Sequence, residues 1–222
     1  MSTAKIKKRL SNAFSGLLGI SKKRASQLLP SNLTAGKAYE AHVLSVVCEK
    51  LKQKEGCSLI LKNGSKIVLK TGGGGINRRY PWIEVSKNGN PIGEIFTDIY
   101  FTSMSHSLSR TSRSPTPGEF HELDIVMTNY GSSGMPKHDE ILIGVECKHT
   151  EYKKSLLKEI LGVRREMGLL ANPLPTVFTK WPSKMVPSNP PSCLLVYSSS
   201  SKVNNYSKPG RTYGIEFHHE TM

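Results

Sequence analysis

The sequence has no pair of cysteines in a Cys-x-x-Cys spacing, and this absence speaks against a zinc ribbon or a dithiol redox motif. We also expect no secretory leader, because the short apolar patch at 13–20 is followed by Lys22, Lys23 and Arg24, where a cleavage site needs small residues. We therefore expect the cysteines to be reduced, in an intracellular setting. The four cysteines are Cys48, Cys57, Cys147 and Cys193.

Several other signatures are absent. No apolar run approaches the roughly 18 residues of a membrane-spanning helix, so we expect no membrane span. The seven histidines show no His-Glu-x-x-His spacing, and neither Gly-x-Ser-x-Gly nor a kinase signature occurs, which disfavours zinc hydrolases, serine hydrolases and kinases. With 222 residues, of which 37% are hydrophobic, the chain can bury a core without disulfides as one domain with an arm, or as two small domains.

Acidic residues are scarce. The chain has 31 Lys and Arg against 17 Asp and Glu, a formal net charge of +14. The first 39 residues carry eight of the basic residues and no acid. An excess of this size predicts a polyanionic partner, either nucleic acid or an anionic membrane surface.

Residues 1–35 are predicted to form a basic amphipathic arm that precedes the main domain at 36–222. Such a helix can lie along DNA phosphates, on a membrane surface or on a partner protein, and an acid-poor start also resembles a transit peptide. The remaining alternative is a helix that packs on the domain and leaves its lysines in water. The apolar side chains at helical spacing are Ile6, Leu10, Phe14, Leu17 and Leu18.

The pattern of the body predicts an α/β domain with a mixed sheet. Apolar residues at helical spacing predict helices over 37–54 and 153–170. Turn signals at Asn63-Gly64 and 88–91 predict two hairpins. The predicted strands are 58–62, 66–70, 82–85, 92–101, 120–127, 140–148, 176–180, 193–197 and 214–218.

Two further segments carry basic residues. Arg78 and Arg79 stand beside Tyr80 and Trp82, a combination suited to nucleic-acid contact, although the aromatic rings can equally be core residues. The Ser- and Pro-rich segment 103–118 contains Arg110 and Arg113 and is predicted to be a mobile loop. It is either an inert surface loop or a second DNA contact.

The most informative residues lie on the two strands at 120–127 and 140–148. Because side chains alternate along a strand, Glu122, Asp124 and Val126 are expected to share one face, and Leu123 and Ile125 the other. The second strand reads Ile-Leu-Ile-Gly-Val and then places a carboxylate and an ammonium two residues apart on one face, at Glu146 and Lys148. If the two strands pair as a hairpin, Asp124 and Glu146 can converge.

Two converging carboxylates beside a lysine suit metal-assisted hydrolysis of phosphodiesters. Magnesium takes one or two carboxylates together with water and substrate phosphate, and it lowers the pKa of a bound water. Glu-x-Lys alone is a weak signal, since Glu151-Tyr152-Lys153 also matches it without an apolar strand before it. The alternative reading of the motif is an exposed strand end with a surface Glu–Lys pair.

The sequences HELDIV at 121–126 and IGVECK at 143–148 resemble the PD-(D/E)xK, or restriction-endonuclease-like, nuclease superfamily. The resemblance implies that Asp124, Glu146 and the backbone carbonyl of Cys147 hold Mg²⁺ or Mn²⁺, while Lys148 aids the attacking water. It also implies a restriction-endonuclease-like mixed central sheet flanked by helices, onto which 36–198 can be laid. Leu123 stands where the name-giving pattern has proline, and 57–118 is longer than the minimal core of the family.

Further positions follow from the resemblance by location only. An acidic residue on the first helix is common in the family, and Glu40 is the candidate here. Glu122 is a candidate third carboxylate, or an edge residue paired with a lysine. On the helix after the Glu-x-Lys motif, Lys154 and Lys158 are candidate polar equivalents and candidate contacts to nucleic acid.

We therefore expect a metal-dependent DNA endonuclease whose catalytic residues are Asp124, Glu146 and Lys148. The basic arm together with Arg78, Arg79, Arg110 and Arg113 would hold the phosphate backbone. The resemblance implies a bacterial cytoplasmic or phage setting in restriction, defence or DNA processing, and leaves a homodimer or larger complex open. The alternatives are a non-catalytic nucleic-acid-binding or assembly protein on the same fold, and a nuclease subunit activated by a partner that docks on residues 1–35.

Overall fold

Helices pack on both faces of one large sheet. The computed structural model describes residues 3–109 and 112–222, so Arg110 lies outside the described residues. The helices are α1 (Thr3–Leu18), α2 (Lys22–Gln27), α3 (Ala35–Glu55), α4 (Met104–Leu108), α5 (Lys154–Met167) and α6 (Ser207–Thr212). The strands are β1 (Ser58–Lys62), β2 (Trp82–Lys87), β3 (Asn90–Thr102), β4 (Phe120–Thr128), β5 (Ile141–Lys148), β6 (Leu169–Pro175), β7 (Met185–Asn189), β8 (Cys193–Ser198) and β9 (Ile215–His219).

The large sheet has seven strands in the order β1-β2-β3-β4-β5-β8-β9. Neighbours from β1 to β5 are antiparallel, whereas β5, β8 and β9 run parallel. The strands β6 and β7 form a separate antiparallel ribbon. This architecture confirms the predicted α/β class with a mixed sheet.

The ends of α3 and the hairpin between β2 and β3 follow local sequence rules. The side chain of Thr34 accepts a hydrogen bond from the backbone N–H of Lys37 and so caps the start of α3, and Gly56 ends this helix with a φ of 68°. Asn88 and Gly89 both have positive φ, 53° and 80°, as a two-residue hairpin turn requires. The turn predicted at 88–91 is therefore confirmed.

Two predicted strands are wrong. The segment 66–70 forms no strand, because the backbone N–H of Leu69 donates to the carbonyl of Leu28 and that of Lys66 to the carbonyl of Arg79. The predicted partner of this segment, β1, pairs with β2 instead. The segment 176–180 is also irregular, because backbone N–H groups at 179–181 donate to the carboxylate of Glu55. The ribbon strands β6 and β7 flank that segment, and α5 ends at Met167, before the predicted 170.

Hydrophobic packing covers both faces of the large sheet. On one face, α1, α2 and α3 pack against Ile125, Val145 and Leu195. On the other face, α5 packs against Leu123 and Val196. Burial on both faces explains the almost unbroken apolar sequence of β8, whose six residues are all buried.

The helix α1 packs on the body of the protein. Leu10 and Phe14 are each 1% exposed and belong to the same core cluster as α3. The ammonium of Lys7 donates to the carbonyl of Pro30, while Lys5, Lys8 and most other basic residues of this segment are exposed. Within residues 3–109 and 112–222, none of the helices combines the length and the apolar character needed to cross a membrane.

The alternation of side chains along β4 breaks at Asp124, so the predicted grouping of Leu123 with Ile125 is wrong. Leu123 packs on the α5 side of the sheet and Ile125 on the α3 side. The register pairs Thr97 with Ile125, and then Ile99 with Leu123. Asp98 of β3 stands opposite Asp124 at the skipped position. Its φ of 54° lies in the left-handed region, which aspartate tolerates better than most residues.

Candidate active site

Three carboxylates from three separate elements meet at the break in β4. Glu40 comes from the second turn of α3, Asp98 from β3 and Asp124 from β4, and one carboxylate oxygen of each lies within 4.8 Å of the others. Asp98 is buried, whereas Glu40 and Asp124 are half-buried. The sequence predicted Asp124 and Glu40, the latter by position only, and the fold brings these two together.

Asp98 was missed by the sequence interpretation. A signal for it exists, since an aspartate inside the apolar strand 92–101 is the same kind of anomaly as Asp124 inside 120–127. The backbone turn at Asp98 is what directs this residue toward α3. There Lys37 donates to Glu40 at 2.7 Å and to Asp98 at 2.5 Å, and so links the helix to the strand.

Strands β4 and β5 separate next to these carboxylates. Their pairing ends at Ile125 and Val145. One residue further, the carboxylate of Asp124 accepts a hydrogen bond from the backbone N–H of Cys147 at 2.6 Å. The side chain of Asp124 thus takes the place of a ladder hydrogen bond, and this opens the sheet. The role predicted for the Cys147 carbonyl stays a prediction.

Glu146 and Lys148 lie beside the gap, at the end of β5. The side chain of Glu146 is 8% exposed, and its carboxylate lies 3.1 Å from the ammonium of Lys148. Lys148 also contacts Glu159 of α5 at 3.0 Å. Glu146 is outside the group of three carboxylates around Asp98. The helix residue that reaches the Glu-x-Lys motif is therefore Glu159, which the sequence did not predict.

The carboxyl groups of the site have raised pKa values. Burial, with the nearby charges of Asp124 and Asp98, raises the pKa of Glu40 to about 7, even though Lys37 opposes the shift. Burial also raises the pKa values of Asp98 and Asp124. Burial, and then the charge of Asp124, raises that of Glu146. The folded protein therefore stabilises the charged form of these carboxyl groups less well than water does.

Three lysines border the carboxylates. Burial lowers the pKa of Lys37, but Asp98 and Glu40 outweigh it and the net shift is upward. In Lys148 burial likewise lowers the pKa, and Glu146 and Glu159 raise it above its usual value. Lys70 donates to the backbone carbonyl of Asp98 at 2.5 Å, and burial lowers its pKa. Lys37 and Lys148 are therefore charged at neutral pH.

The donor set fits a hard divalent cation. Carboxylate oxygens are the ligands that Mg²⁺ takes from proteins, usually one or two together with water and substrate oxygens. Asp124 belongs to the group of three carboxylates, and its charge raises the pKa of Glu146 as well as that of Glu40. Glu40, Asp98, Asp124 and Glu146 are the residues that could hold such an ion.

The other predicted positions lie at the margin of the site. Glu122 is exposed, and burial and the charges of Asp98 and Asp124 raise its pKa. Lys154 and Lys158 are exposed on α5. Neither of these lysines forms a salt bridge with any described residue.

The predicted arginine contacts have different environments. Arg78 forms two hydrogen bonds to Glu94, at 2.8 and 2.7 Å, donates to the carbonyl of Ser132 and lies over the ring of Trp82. These contacts engage its guanidinium with other residues of the protein. Arg79 is exposed. Arg113 is half-exposed and pairs with Glu119.

Comparison of the chain with protein-family models, with curated proteins and with solved structures finds no match.

Proposed function

We propose that this chain is a metal-dependent nuclease that hydrolyses phosphodiester bonds in DNA, with a site of the PD-(D/E)xK type. The observation that carries the proposal is the convergence of Glu40, Asp98 and Asp124 beside Glu146 and Lys148, at the point where β4 and β5 separate. A surface Glu–Lys pair would not need partners from α3 and β3. The net charge of +14 supports a polyanionic substrate.

Each side chain has a defined part in the proposed reaction. Glu40, Asp98, Asp124 and Glu146 would hold Mg²⁺ or Mn²⁺, which supplies an activated water and offsets charge on the phosphate. Lys148 is protonated at neutral pH, so it can donate to that water or to a phosphate oxygen but cannot accept a proton. Its contacts with Glu146 and Glu159 fix the position of its ammonium.

The basic amino-terminal helices support contact with the phosphate backbone. The groove between α1 and α2, about 420 Å³, is lined by Lys7, Lys8 and Lys22. The chain just after α2 borders the carboxylates, since Pro30 lines the same small cavity as Glu40. We propose that a phosphate backbone held in the groove of α1 and α2 continues toward the site.

The first experiment measures cleavage of supercoiled and linear DNA with Mg²⁺, Mn²⁺ or EDTA. We expect cutting that requires metal and falls by about 100-fold or more in Lys148→Ala, since removal of a transition-state donor typically costs that much. Lys153→Ala is the matched control, because Lys153 ends the second Glu-x-Lys sequence and is exposed. Cutting by Lys148→Ala at the wild-type rate, or equal cutting in EDTA, would contradict the proposal.

A second experiment tests the basic groove by DNA binding in EDTA at several salt concentrations. Replacing Lys7, Lys8 and Lys22 with alanine should weaken binding and reduce the slope of log K against log salt by about 1 for each phosphate that these lysines neutralise. Lys54→Ala is the control, because Lys54 is an exposed lysine at the carboxyl-terminal end of α3 and does not line this groove. If the triple variant binds DNA with unchanged affinity and an unchanged salt slope, this groove does not contact the DNA. Tight binding with no cutting under any metal would favour a non-catalytic binder or a partner-activated subunit.

A further inference from the structure

At the end of α5 lies a buried arginine that has no acidic partner among the described residues. Arg164 is 3% exposed. All 17 acidic residues belong to the described part of the chain, and none forms a salt bridge with Arg164. A buried charge is normally paired, because removing it from water is costly. The missing counter-charge at Arg164 therefore needs an explanation.

The acceptors of the Arg164 hydrogen bonds in the described part of the chain are all neutral. Its Nε donates to the carbonyl of Tyr213 at 2.8 Å, Nη1 donates to Ser192 Oγ at 2.9 Å, and Nη2 donates to Ser188 Oγ. A guanidinium has five N–H groups, so two of them have no acceptor among the described residues. Burial lowers the pKa of Arg164 to about 10, and the group is therefore still charged at neutral pH.

Arg164 lines the cleft between α5 and the ribbon of β6 and β7, whose volume is about 490 Å³. This volume is in the range of small-molecule sites, which are mainly apolar with a few fixed polar groups. Leu169, Leu170 and Tyr213 line the cleft and are 43%, 56% and 41% exposed. Arg165 adds a second positive charge to the lining.

The cleft is separate from the candidate active site. Ser192 and Tyr213 precede β8 and β9, whereas Glu146 and Lys148 lie at the opposite, carboxyl-terminal end of the parallel strands. The six residues of β8 place the two ends roughly 16 Å apart. The proposal for the cleft therefore does not depend on the nuclease proposal.

We propose that this cleft binds a small organic oxyanion, a phosphate or carboxylate on an apolar body, whose charged end pairs with Arg164. Arginine suits this role because its planar N–H groups match the geometry of carboxylate and phosphate oxygens. The apolar part of the ligand contacts Leu169, Leu170 and the ring of Tyr213. Its burial accounts for large apolar side chains that are otherwise exposed to water.

The test is isothermal titration calorimetry with three probes in EDTA and constant chloride. The probes are inorganic phosphate, phenyl phosphate and benzoate. We expect phenyl phosphate or benzoate to bind about tenfold more tightly than inorganic phosphate, because the ring buries apolar surface. Whichever of these two probes binds with the higher affinity identifies the charged group of the ligand as a phosphate or a carboxylate. No binding of any probe at millimolar concentration, or equal affinity for all three, would overturn the proposal.

Four variants locate the binding. Arg164→Gln should weaken the tighter probe by about tenfold or more, and Arg165→Gln should weaken it less because this side chain is exposed. Leu170→Asp should also weaken binding about tenfold through charge repulsion. Leu170 is exposed, so this variant decides the question if Arg164→Gln does not fold. Asp124→Asn should bind like the wild type. Full binding by Leu170→Asp, or loss of binding in Asp124→Asn, would refute the assignment to this cleft.

Discussion

Removal of the buried carboxylate of Glu55 should cost substantial stability. Glu55 lies at the end of α3, and its side chain is fully buried. The ammonium of Lys87 donates to it at 2.6 Å, and the backbone N–H groups of Thr179, Lys180 and Trp181 donate to the same carboxylate. This one group therefore fixes the irregular segment that the sequence had predicted as a strand.

The size of the effect follows from the pKa of Glu55. Burial alone would raise it, but the hydrogen bonds from Lys87 and the three backbone N–H groups lower it from 4.5 to about 2. A shift of this size corresponds to about 3 kcal/mol of folding free energy. Because folding lowers the pKa, this contribution is complete above about pH 5, falls to about half at pH 3 and is lost as the pH approaches 2.

The assay is urea unfolding of the wild type and Glu55→Gln, followed by circular dichroism between pH 7 and pH 3. At pH 7 the free energy of unfolding of the variant should be about 3 kcal/mol lower than that of the wild type, because the NH₂ group of glutamine would face the N–H donors that Glu55 accepts from. This difference between the two proteins should shrink as the pH falls. Glu84→Gln is the control, because the pair of Glu84 with Lys62 is partly exposed and is worth about 1 kcal/mol or less. A loss below 1 kcal/mol at pH 7, or a difference that does not depend on pH, would refute the reasoning.

Two further predictions concern stability and use the same unfolding assay. Arg78→Ala should lose about 3 kcal/mol, because it leaves the buried carboxylate of Glu94 without its partner, whereas Arg79→Ala should change stability by less than about 0.5 kcal/mol. Equal effects of the two changes would show that Arg78 is not structural. Phe14→Ala should lose about 3–4 kcal/mol, since this side chain is 1% exposed in the shared core. The exposed Asn12→Ala is its control, and a negligible loss in Phe14→Ala would mean that α1 does not contribute to the folded body.

The elements that could be predicted from sequence are those whose signals are local. The helix α3 has its cap at Thr34 and its terminating Gly56, and the β2–β3 turn has Asn88-Gly89. The predicted hairpin at 63–64 was wrong, although Asn63-Gly64 is also a local turn signal, because the segment after it pairs with residues far away in the sequence. The N–H of Leu69 donates to Leu28, 41 positions earlier in the chain, and no short-range pattern contains that contact.

The candidate site divides in the same way. Asp124, Glu146 and Lys148 could be identified by themselves, since a charged residue in an apolar strand is visible in the sequence. The grouping of carboxylates could not be identified, because Glu40, Asp98 and Asp124 come from α3, β3 and β4 and meet only in the folded chain. Glu159 was missed for the same reason, since its contact with Lys148 joins a helix to a strand end.

The sequence by itself determined the α/β class, the basic character of the amino-terminal segment and the charged residues of the central strands, because these depend on composition and on the periods of side chains. The tertiary structure alone decided that α1 packs into the core, that the alternation of β4 breaks at Asp124 and that Arg164 is buried with no acidic partner among the described residues. Each of these depends on contacts between residues far apart in the chain. Such contacts arise from how whole helices and strands pack, and no local pattern encodes them.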